Sequence, residues 1–102
     1  MDILNKIKSA IIKGNINITD HADTRIVEWD ISDDELYDSV LNGQVIEEYT
    51  DDKPFPSCLI YGMSNNKYIH SVWAYSEEQD IAVVITVYIP DKNKWIDYKI
   101  RK

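Results

Sequence analysis

Apolar side chains recur at helical spacing through Leu4, Ile7, Ala10 and Ile11, with Asn5, Lys6, Lys8 and Lys13 at the positions between. That period marks a helix with one buried face, and Gly14 is suited to the left-handed backbone that ends many helices. An amphipathic helix is expected over residues 2–13. Asn15-Ile16-Asn17-Ile18 alternates, as a short strand or an extended connector would. Thr19 or Asp20 can cap a second helix reaching to about Trp29, in which His21 and Arg25 lie one turn apart on one face. Ser32-Asp33-Asp34-Glu35 has the spacing of a capping box. A third helix should follow it, with Leu36, Val40 and Leu41 as its stripe and Asn42-Gly43 as its end.

Beyond Gly43 the pattern changes to short apolar runs separated by turn residues. Strands are expected over 44–49, 57–63, 68–75 and 81–89, with Asp51-Asp52-Lys53-Pro54, Ser64-Asn65-Asn66-Lys67 and residues 76–80 as the turns. Consecutive strands joined by short loops form an antiparallel meander. The chain therefore reads as one α+β domain over residues 1–102, with N-terminal helices on one face of a four-stranded, mainly antiparallel sheet. In the last strand Ile81, Val83, Ile85, Val87 and Ile89 share the face expected against the helices, opposite Ala82, Val84, Thr86 and Tyr88. His70 shares a surface with Thr86 and Tyr88 in one register and leaves it after a slip of one residue.

Composition narrows the class. A 102-residue chain with 44% hydrophobic residues suits a single core. No apolar run is long enough to span a membrane and no signal-peptide pattern opens the chain, so a cytoplasmic protein is expected. Cys58 is the single cysteine, and beside Leu59 and Ile60 it reads as a buried strand residue. No HxxxH or HExxH spacing points to a metal, and no cofactor is expected.

The net charge of −7 opposes non-specific nucleic-acid binding. Its distribution is uneven: Arg25 is the one fixed cation between Asp20 and Asp52, whereas Lys92, Lys94, Lys99, Arg101 and Lys102 crowd the C-terminal stretch. A positive cleft forms on an acidic protein if that stretch folds beside Arg25. Otherwise the acidic half offers a surface to a basic partner.

Candidate chemistry rests on five residues. His21, Arg25, His70, Thr86 and Tyr88 are the types with which a metal-independent ribonuclease moves protons and grips a phosphate. Histidine titrates near neutral pH, arginine binds two phosphate oxygens, and tyrosine donates to phosphate or stacks on a base. Ordinary structural roles are open to the same residues. His21 can sit on the surface, Arg25 can pair with Glu28, and Thr86 and Tyr88 suit any half-exposed strand. Trp29, Trp73 and Trp95 fit core or rim positions, or a stacking platform.

Several ordered segments resemble one family. They are residues 18–25 (Ile18 to Arg25), 31–35, 42–49, 56–62, 69–72 around His70, and 85–91 with Thr86 and Tyr88, ending near Trp95. The chain is thereby similar, over about residues 16–96, to the bacterial and archaeal domain-of-unknown-function 4258 family. The resemblance implies a small toxin fold of the barnase, EndoU, colicin and RelE group. It also implies an RNA substrate and an antitoxin partner of the MqsA zinc-finger type. By that analogy His21 or His70 serves as base or acid, Arg25 holds the phosphate, and Thr86 and Tyr88 complete the site. Trp29 stands where the family often has a second arginine. The competing reading is a non-catalytic acidic domain that binds a basic protein.

Overall fold

Local capping chemistry sets the helices of the computed structural model, which describes residues 2–102. Helix α1 (Ile3–Lys13) starts where the Asp2 carboxylate accepts the Leu4 N–H, and ends at Gly14, whose φ of 79° favours glycine. Helix α2 (Asp20–Glu28) is capped by Thr19, whose hydroxyl accepts the Ala22 N–H. Helix α3 (Asp33–Leu41) carries the expected capping box: Glu35 N–H donates to the Ser32 hydroxyl at 3.0 Å, and Ser32 N–H donates to the Glu35 carboxylate at 2.9 Å. Asn65 and Lys67 also donate to the Glu35 carboxylate, tying α3 to the turn between two strands.

The strands are β1 (Ile16–Ile18), β2 (Gln44–Tyr49), β3 (Ser57–Ser64), β4 (Lys67–Ser76), β5 (Ile81–Tyr88), β6 (Trp95–Ile96) and β7 (Ile100–Arg101). The α+β class and the meander of β2 to β5 match expectation. The strand count does not: the main sheet has five strands in the order β1-β5-β4-β3-β2, and it is mixed because β1 pairs parallel to β5. Without β1 the outer edge of β5 would leave a row of backbone donors and acceptors unpaired, and Ile16–Ile18 supplies their partners. The Asn65-Asn66 turn joining β3 to β4 takes positive φ at both residues, as tight hairpins require.

A second correction concerns β5. Val72 pairs with Thr86 but Trp73 pairs with Val84, so Ile85 is an extra residue bulged out of the ladder. The bulge reverses the side-chain alternation in mid-strand. Ala82, Val84 and Val87 are the residues buried against the helices, while Ile81, Val83 and Ile85 are only partly covered. The same reversal leaves Thr86 and Tyr88 together on the opposite face, with His70 directly across from Tyr88.

Ile7, Ala10, Ala22, Ile26, Leu36 and Val40 from the helices meet Cys58, Ile60, Ile69, Trp73, Val84 and Val87 from one sheet face in a single core. Burial pushes the Cys58 thiol up to about 12, so it packs as a small apolar group. Helix α3 crosses β3 so closely that a Cβ on Gly62 would collide with the Ser39 carbonyl. No helix among the described residues is long and apolar enough to cross a membrane.

The opposite sheet face is partly covered by the C-terminal hairpin of β6 and β7. Tyr98 stacks on Tyr68 with ring centres 4.0 Å apart, and Trp95 meets His70 edge-on at 4.5 Å. Arg101 lies over the Trp95 ring and donates to Glu47 of β2 at 2.8 Å. This cover on the sheet was not expected from the sequence.

Candidate functional site

Helix α2 runs beside the part of β5 that β1 leaves unpaired. At its start the Thr19 N–H donates to the Val84 carbonyl and the Thr19 hydroxyl to the Ile85 carbonyl. At its end Trp29 shares a cleft with Tyr88 and Ile89. His21, Arg25 and Trp29 follow one another at four-residue intervals and form one stripe along that helix. The strip of surface where the stripe adjoins the outer part of β5, from His21 and Thr86 to the cleft at Trp29 and Tyr88, is termed the α2–β5 groove.

Two side-chain pairs mark β5 within this groove. His21 Nε2 lies 3.2 Å from the Thr86 hydroxyl, at the exposed surface. His70 Nδ1 lies 3.2 Å from the Tyr88 hydroxyl, and His70 Nε2 lies 2.6 Å from the Tyr98 carbonyl oxygen. A carbonyl only accepts, so Nε2 carries a proton, and in the neutral ring Nδ1 must then accept from the Tyr88 hydroxyl. The Tyr88 oxygen keeps lone pairs for a further donor. Burial lowers the His70 pKa, against an opposing contribution from the Tyr98 carbonyl, and burial raises that of Tyr88. Both groups are therefore held neutral near pH 7.

Tyr98 is in the left-handed region at φ 62°, a conformation that opposes a bulky side chain by about 1 kcal/mol or more. Its carbonyl oxygen meets His70, and its ring completes the stack on Tyr68. Because His70 is fully buried beneath the hairpin, its route to the groove is through the Tyr88 hydroxyl.

Arg25 donates to Glu28 at 2.6 Å, the pairing that sequence spacing allows. Both side chains are about half exposed, and an exposed i,i+3 pair contributes only a few tenths of a kcal/mol. So weak a pair leaves the guanidinium able to exchange Glu28 for another anion. Of the five residues expected at the site, four form two pairs on β5, and Arg25 stands one turn from His21 with a carboxylate as its present partner.

Where the groove meets the hairpin it widens into a cleft of about 490 Å³. Trp29, Tyr88 and Trp95 give it aromatic walls, Lys94 and Arg101 give it positive charge, and Asp91 is its one acid. The sequence signal for this cleft was the crowding of cations after Asp91, together with Trp29 at the third position of the stripe. What the sequence lacked was the fold-back of the hairpin. Among the described residues, no three His, Cys, Asp or Glu side chains group as a metal would require.

The family model described as "Domain of unknown function (DUF4258)" matches residues 18–89, from the last residue of β1 to just past β5. No curated protein and no solved structure is similar enough to the chain to match it.

Proposed function

The chain belongs to the DUF4258 family, and from that premise and the α2–β5 groove we propose a metal-independent endoribonuclease of the RelE and barnase toxin kind, acting in the cytoplasm. The observation that carries the reading is the alignment of His21 with Thr86 and of His70 with Tyr88 on the same stretch of β5. Thr86 and Tyr88 are two residues apart on one face, so the pairs are separated by about 7 Å along the strand. A phosphodiester fits between them.

In this mechanism the Tyr88 oxygen takes the proton of a ribose 2′-hydroxyl while the Tyr88 proton passes to His70 Nδ1. The 2′-oxygen attacks phosphorus, the bond from phosphorus to the 5′-oxygen breaks, and a 2′,3′-cyclic phosphate forms. His21, oriented by Thr86, gives a proton to the departing 5′-oxygen. Arg25, released from Glu28, neutralises the non-bridging oxygens. The Tyr98 carbonyl holds the His70 ring in the tautomer that the transfer needs, much as a buried acceptor orients the imidazole of a catalytic triad.

The test is cleavage of a single-stranded RNA by the full chain in EDTA. Tyr88→Phe removes one hydroxyl and His21→Ala one exposed imidazole, so both variants should fold. Each should lose about 10²-fold or more of the rate, the usual contribution of a positioned acid or base. Undiminished cleavage in both would refute the mechanism, and no cleavage by the wild-type chain would refute the activity.

A second reading is favoured by the exposure of Asp20, Asp23, Asp30, Asp33, Asp34 and Asp38 along α2 and α3 and the segments that flank them. Those acids form a surface for a basic protein partner, with or without catalysis. An antitoxin of the MqsA zinc-finger type is the partner proposed. Association through that surface should weaken steeply with salt.

A further inference from the structure

Apart from Tyr88, which forms part of its wall, the cleft at the end of the groove has no part in the proton transfers assigned above, yet it is the one place where aromatic surface and positive charge converge among the residues of the groove. Trp29 is 43% exposed there, an unusual condition for the largest apolar side chain. Trp95 on the other side is nearly buried, and Arg101 lies 4.7 Å above its ring centre. Glu47 engages Arg101 through Nε, and the terminal nitrogens of the guanidinium carry further donors. Lys94 adds a second cation against the single carboxylate of Asp91. With Glu47 paired to Arg101, two cations here face two carboxylates, a local balance that contrasts with the net charge of −7 on the whole chain.

Its volume of about 490 Å³ lies within the ~300–1,000 Å³ range of sites that enclose small ligands. We propose that it is a nucleotide subsite for single-stranded RNA, in which one base stacks on Trp29 and the adjoining phosphate is held by Lys94 and Arg101. Stacking on an indole is indifferent to base identity, and Lys94 and Arg101 offer a phosphate the attraction that the acidic half of the chain denies it. The stripe then gains a division of labour. His21 and Arg25 face the scissile linkage, and Trp29, one turn further on, anchors the neighbouring residue of the strand.

The inference rests on RNA being the substrate, and its test separates the two. A fluorescein-labelled oligodeoxynucleotide, which lacks the 2′-hydroxyl and resists this cleavage, is titrated with the full chain and followed by anisotropy. Trp29→Ala should weaken binding about tenfold or more, the worth of one stacked base, whereas Trp29→Phe should retain most of it. Lys94→Ala should weaken binding and lower its salt dependence by about one phosphate contact. Circular dichroism of each variant checks that the fold is intact.

Equal affinity of Trp29→Ala and wild type would overturn the subsite, as would failure of the wild-type chain to bind the oligonucleotide. Binding that depends on Trp29 without any RNA cleavage would uphold the subsite and remove the nuclease. Cleavage with an unchanged KM in Trp29→Ala would uphold the nuclease and remove the subsite.

Discussion

Replacing Glu35 by glutamine removes a negative charge from the point where α3 is fastened to the β3–β4 turn. The carboxylate accepts from Ser32 N–H, Lys67 and Asn65, and these bonds lower its pKa from an ordinary 4.5 to about 2 despite its burial. At about 1.4 kcal/mol per pH unit, that difference contributes about 3 kcal/mol to stability at neutral pH. The unfolded chain binds the proton near pH 4.5 and the folded chain resists it until about pH 2. The contribution is therefore complete above pH 4.5 and is lost as pH falls towards 2. The substituted amide retains a neutral oxygen for Ser32 but loses the charge that strengthens all three bonds. Urea denaturation followed by tryptophan fluorescence should find Glu35→Gln less stable than wild type by about 2–3 kcal/mol at pH 7. The gap should shrink by about 2 kcal/mol on going to pH 3. An equal gap at both pH values would refute the electrostatic account and leave only a shape effect.

Two further outcomes follow from packing and burial. Gly62→Ala drives a methyl into the Ser39 carbonyl, a backbone group that cannot swing aside, so α3 must lift from β3. A loss of about 3 kcal/mol or more in urea denaturation is expected, and a loss under about 1 kcal/mol would show that the crossing is looser than described. Burial holds the His70 pKa below its ordinary 6.5, so the unfolded state gains the proton first as pH falls. Stability supplied by neutral His70 is present above pH 6.5 and declines below it until the folded-state pKa is passed. The advantage of wild type over His70→Gln should narrow between about pH 8 and about pH 5, and a constant difference by thermal melting would contradict the buried neutral ring.

Much of this architecture was legible because local rules and tertiary packing agree. The Leu4-Ile7-Ala10-Ile11 stripe, the Ser32–Glu35 box and the Asn65-Asn66 turn each use a short-range device that the sequence displays openly. The parallel pairing of β1 was not legible, since three residues of alternation fit a connector equally well and the partner strand is far along the chain. The Ile85 bulge escaped for a different reason. Five apolar residues at alternate positions from Ile81 to Ile89 mimic a regular strand, and only pairing with β4 exposes the added residue. At the candidate site, the pairing of Arg25 with Glu28 was legible from spacing. The convergence of His70 on Tyr88 depended on register. The cover over His70 depended on a hairpin whose Asp97 and Tyr98 both take left-handed backbone, a choice that neither residue type announces.

The parallel bond of β1 to β5 also governs the order in which the molecule can be completed. Helices α1, α2 and α3 emerge first during synthesis, but the sheet face they cover is finished only when β5 pairs with both β4 and β1. Such distant pairing is slow to close because the intervening chain must first be gathered. Until then α2, which packs chiefly on β5, has no strand to meet. The groove is assembled from α2 and β5, so it is absent from every shorter nascent chain. A ribosome making this protein would carry no formed groove until β5 leaves the exit tunnel.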